Sequence, residues 1–190
     1  MTTTENTAAS TPSVDSLYRA KDIQMAATID MRTRTVMITG AIDSNDHDIL
    51  VRVELPKAGR WQVVKAETNL TDRAWRAWQI TFGSDTTVVC DENAQNMCRQ
   101  YGELYVSNDA ERLCFYEGEV RPGEAVLKMF TVEAKRPLIV MAHNRATEEE
   151  DEEEIDFPTV PPEEDFASLV RNGFPPRAYI EAWLPVTVVN

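Results

Sequence analysis

Only a few residues in this chain have the types and spacing that chemistry requires. Asp43, Asn45 and His47 stand at positions one, three and five of a twelve-residue stretch that ends in Glu54, the order of ligands in a calcium-binding loop. The sixth position, where such a loop needs glycine for its sharp turn, holds Asp48, and imidazole is a poor calcium ligand. Zinc would need three or four converging N, S or carboxylate ligands. The candidates are Cys90, Cys98 and Cys114 with His47 and His143, and none of the cysteines forms a CxxC pair. No metal and no cofactor is expected.

Nucleophilic catalysis needs a Ser, Cys or Thr beside an oriented base. The chain has no GxSxG, P-loop or GxGxxG, and both histidines read as lying in polar, loop-like surroundings. With 32 acids present, a search for a glycosidase pair of carboxylates has no power. The reading is therefore of a protein that is not an enzyme, with reduced, unmetallated thiols.

The net charge of −13 has to be located before it means anything. Residues 147–166 hold eleven of the 32 acids, including the unbroken run Glu148–Glu154, and no Lys or Arg; the other 21 acids face 19 bases, a net of −2. A near-neutral body is not the basic footprint of a nucleic-acid binder. Arg19, Lys21, Arg32 and Arg34 form one mild cluster, and Lys135, Arg136 and Arg145 another. Trp61, Trp75 and Tyr116 are the aromatics that could stack bases if exposed. The acidic stretch that ends in Ile155-Asp156-Phe157 resembles the acidic tails of single-stranded DNA-binding proteins, although here 33 residues follow Phe157. That resemblance implies a nucleic-acid-binding body whose acidic segment competes for its own groove; a solvated linker explains the same residues.

The elements that would position these residues read as mostly β. Branched residues with period two run from Ile23 to Gly40 and from Ile49 to Leu55, and Trp61–Ala66 returns as a hairpin partner. Residues 70–82 read as a short helical turn leading into a strand. At 91–101 the period changes: Asp91 can cap a helix, Ala94, Met97, Cys98 and Tyr101 fall at i, i+3, i+4 and i+7, and Gly102 follows. Strands resume at Leu104–Ser107 and Leu113–Tyr116. Arg121-Pro122-Gly123-Glu124 has the order of a type II turn and opens onto a strand at Ala125–Ala134. The expected fold is mainly β, a sandwich or open barrel with one packed amphipathic helix and terminal extensions.

Four regions follow: a flexible N-terminal arm at 1–16, a β-rich domain at 17–146, an acidic linker at 147–162 and a C-terminal docking arm at 163–190. In the last, Phe166, Leu169, Val170, Phe174, Tyr179, Ile180, Trp183 and Leu184 are too apolar to stay in water and must dock on the body or on another chain. These eight are the partner-binding candidates, the partner being a protein, either a second copy or another subunit. No run is apolar enough for a spanning helix, and the first residues have no signal-peptide pattern, so an intracellular, cytoplasmic location is expected. The functional expectation is a non-enzymatic assembly or adaptor protein, of the kind that serves as a viral or phage structural component in the virion. Two alternatives stand beside it: a single-stranded nucleic-acid-binding protein, and an enzyme whose site the sequence does not display.

Overall fold

A computed structural model of the chain describes residues 23–147 and 164–190. The expected N-terminal arm and nearly all of the acidic linker lie outside the described residues. Among the described residues thirteen strands form two sheets that pack face to face as a sandwich, without closing into a barrel. In chain order the strands are β1 (Ile23–Asp30), β2 (Thr35–Ile42), β3 (Asp48–Glu54), β4 (Gly59–Asn69), β5 (Trp75–Phe82), β6 (Thr86–Val88), β7 (Met97–Cys98), β8 (Tyr101–Val106), β9 (Arg112–Gly118), β10 (Ala125–Ala134) and β11 (Leu138–Thr147). After the undescribed acidic segment come one helix, α1 (Glu164–Asn172), then β12 (Tyr179–Trp183) and β13 (Val186–Val189).

The first sheet runs β13-β1-β2-β4-β10-β6, with β7 also paired to β10, and the second runs β12-β3-β11-β5-β9-β8. Their facing sides supply the core, whose largest fully buried members include Trp61, Trp75, Trp78, Phe115 and Phe130. The alternation that specifies this is plain in β4, where Trp61, Val63, Lys65, Glu67 and Asn69 are all buried and the residues between them are not. Turn chemistry agrees. Asp30 Oδ1 accepts the backbone N–H groups of Arg32 and Thr33 in the β1–β2 hairpin. At the predicted type II turn, Gly123 takes φ of 87° and Glu124 N–H donates to the Arg121 carbonyl at 3.0 Å.

Residues 91–101 are not helical. Asp91 holds Arg60 through two hydrogen bonds and accepts the Asn93 N–H, while Met97 and Cys98 pair with Met129 and Lys128 of β10. Asn96 and Gln100 decide the matter. The Asn96 side chain donates to the Val89 carbonyl and accepts from Thr131 N–H; that of Gln100 donates to the Ala125 carbonyl and accepts from Leu127 N–H. Satisfying the free edge of β10 outweighs a weak helical period. Likewise residues 71–73 form bends, closed by Thr71 and Asn69, and the strand starts directly at Trp75. Among the described residues the packed helix is α1.

Candidate functional site

The C-terminal segment binds its own body as a strap. Helix α1 lies on the outer face of the second sheet, where Phe166, Val170 and Phe174 meet Ala77, Cys114, Tyr105 and Tyr116. Arg112 donates to the Val170 and Arg171 carbonyls, bringing a cation to the negative end of the helix. Gly173, with φ of 94°, ends the helix by donating its N–H to the Leu169 carbonyl. Arg177 then ties the strap down: its guanidinium donates to Asp48, Asn144 Oδ1 and the carbonyls of Asn45 and Arg145. Beyond it, β12 pairs in parallel with β3 and β13 in parallel with β1, so one segment covers an edge of each sheet.

This places the eight residues expected to bind a partner. Val170, Ile180 and Leu184 are buried within the chain, and Phe166, Leu169 and Phe174 are half-buried. Tyr179 and Trp183 remain 58% exposed, Trp183 beneath the Arg52 guanidinium at 5.2 Å. Asp48, from the calcium-like stretch, is taken by Arg177. Other expectations change. Trp61 and Trp75 are wholly buried and offer no stacking face. Arg145 is buried too, with its guanidinium on the His47 carbonyl, and does not extend a surface patch with Lys135 and Arg136. His143 sits in the core on β11 and not in a polar loop.

Between the sheets lies a cluster of charges that spacing alone did not reveal. Lys65 and Glu67 of β4 and Lys128 of β10 point inward and are completely buried. Glu67 lies between the two ammonium groups: Lys65 Nζ is 3.0 Å from Oε1, and Lys128 Nζ donates to Oε2. From the other sheet, His143 meets Lys65 with Nδ1 3.2 Å from Nζ, and the Trp78 ring lies under Lys128 with its centroid 3.1 Å from Nζ.

Burial pushes Lys128 down to about 7, against the pull of Glu67. It also lowers Lys65, and it holds His143 neutral with the help of the neighbouring cations, so that the imidazole accepts from Lys65. Burial alone would raise Glu67, but the two lysines override it and keep the carboxylate ionised. A signal for the cluster did exist in the sequence: Lys65 and Glu67 share parity with Trp61 and Val63, Lys128 with Val126 and Phe130, and His143 with Ile139 and Met141.

The outward face of the first sheet carries the second unforeseen feature. Met37, Val64, Met129 and Met97 stand opposite one another across β2, β4, β10 and β7, and Thr39, Ala66 and Leu127 form the next row. Met37, Met97 and Leu127 are 47%, 56% and 41% exposed. A shallow hollow of about 480 Å³ adjoins these rows, lined by Gln62, Thr131, Arg34, Arg60, Asn93 and others. Its two guanidiniums are already engaged, Arg34 by the Ala58 and Arg60 carbonyls and Arg60 by Asp91. Among the described residues no group of three His, Cys, Asp or Glu is arranged to hold a metal ion, and no helix is long and apolar enough to cross a membrane.

Residues 25–190 match the model of a family described as "Family of unknown function (DUF6423)", and the chain belongs to that family. No curated protein and no solved structure matches it.

Proposed function

We propose that this member of a family of unknown function is a non-enzymatic assembly protein that joins copies of itself through protein–protein contacts. The observation that carries the reading is the outward apolar face of the first sheet. Its methionine and leucine rows are exposed on a surface that ends at the edge strand β13, where Val189, opposite Asp30, is 43% exposed. Methionine-rich faces repack readily against a partner, and an edge strand can extend its sheet across a two-fold axis. The strap fits the same reading, because it covers one edge of each sheet and leaves Tyr179 and Trp183 outward for contact. A subunit of a larger shell, such as a viral or phage particle, would use these features.

The test is mass in solution. Light scattering over a range of concentrations should show a dimer or larger species. Met37→Glu combined with Met97→Glu should return it to monomer without a large change in melting temperature, since both side chains already face water. A wild-type protein that stays monomeric at high concentration would refute the proposal. The nucleic-acid reading has lost its two tryptophan platforms, and nothing in the geometry favours it.

A further inference from the structure

We propose that Lys128 and Glu67 become joined by an intramolecular amide that cross-links β4 to β10 inside the sandwich. The inference is independent of the assembly reading and rests on the buried cluster alone.

The geometry meets the demands of the reaction. An amine and a carboxyl group are held in contact by adjacent strands, so proximity and orientation are supplied by the fold. Both are fully buried, with the Trp78 ring against the amine, so there is no bulk water to solvate the charges or reverse the reaction. The two carboxyl oxygens have different neighbours: Oε2 faces Lys128, and Oε1 faces Lys65 at 3.0 Å. Lys65 is in turn positioned by His143.

The step balances within the pair. A proton passes from the Lys128 ammonium to Oε2, leaving a free amine and a neutral carboxyl. The Nζ lone pair attacks Cδ and forms the C–N bond, and negative charge collects on Oε1, where the Lys65 ammonium stabilises it. A second proton moves from Nζ to Oε2, the Cδ–Oε2 bond breaks, and Oε2 leaves as water. Oε1 becomes the amide carbonyl, still within reach of Lys65. No oxidant, metal or other reactant is consumed.

Two features favour this outcome over a permanent ion pair. Holding an ammonium and a carboxylate without water is costly, and the amide removes both charges at once. Burial also brings Lys128 down to about 7, so the free amine is accessible at neutral pH. Lys65 is the poorer nucleophile for the same carboxyl, because it sits two residues away on the same extended strand and is held by His143.

The experiment is an intact-mass measurement on the denatured full chain, followed by peptide mapping. The folded wild type should be lighter than its sequence by one water. Digestion should yield a branched peptide that joins the segment carrying Glu67 to the segment carrying Lys128. Lys128→Arg and Glu67→Ala should each have the full mass of their sequences, a result readable whether or not those variants fold well. A wild-type mass without the deficit after prolonged incubation in the folded state would overturn the proposal. So would a deficit that maps to another pair of residues.

Discussion

Removing residues 178–190 would delete β12 and β13 while keeping α1. Within that segment Ile180 and Leu184 are 4% and 8% exposed. Burying each such side chain is worth roughly 1.5–3 kcal/mol, so the pair contributes about 3–6 kcal/mol before the backbone ladders along β3 and β1 are considered. A domain of this size shifts its melting temperature by roughly 2–4 °C per kcal/mol, which places the expected drop at about 6–24 °C. The truncated protein also bares the edges of both sheets at the same side of the sandwich, including Ile49 and Val51 of β3 and Ile29 of β1. Unpaired edges of that kind recruit other strands, so solubility should fall with stability. Thermal melts followed by circular dichroism, with light scattering on the same samples, read both effects. Ile180→Ser should reproduce a substantial part of the loss, and Tyr179→Ser should cost little because Tyr179 is already 58% exposed. If the truncated protein melts within a degree of the full chain, the strap does not hold the body in the way described and the arithmetic fails.

Two further outcomes can be checked directly. Of the three thiols, Cys90 is exposed, whereas Cys98 and Cys114 are buried and burial pushes Cys114 up to about 12; a thiol reagent should therefore modify one group quickly in the native protein and all three only on unfolding. His143 is held neutral in the fold but takes a proton below its ordinary value of 6.5 when unfolded, so stability should fall as pH drops from 6.5 toward 4.5, by up to about 1.4 kcal/mol per pH unit. Urea titrations of His143→Gln should lack this dependence.

Local rules determined much of this molecule. Period-two alternation, branched residues and a Pro-Gly turn have the same meaning in any surroundings, so the β character and the Gly123 turn are legible in the chain. The apolar content of the C-terminal segment likewise dictated that it must dock, because that many large side chains cannot remain in water. Other outcomes depended on partners distant in sequence. Residues 91–101 carry a helical period, yet Asn96 and Gln100 serve the free edge of β10, which exists only after β10 has paired with β4. Whether the strap would cover its own sheets was settled by the positions of β1 and β3 as neighbouring edges. The charged cluster was the hardest feature to foresee. Parity could show that Lys65, Glu67, Lys128 and His143 face inward, but only the packing of two sheets makes one carboxylate meet two ammonium groups over the ring of Trp78.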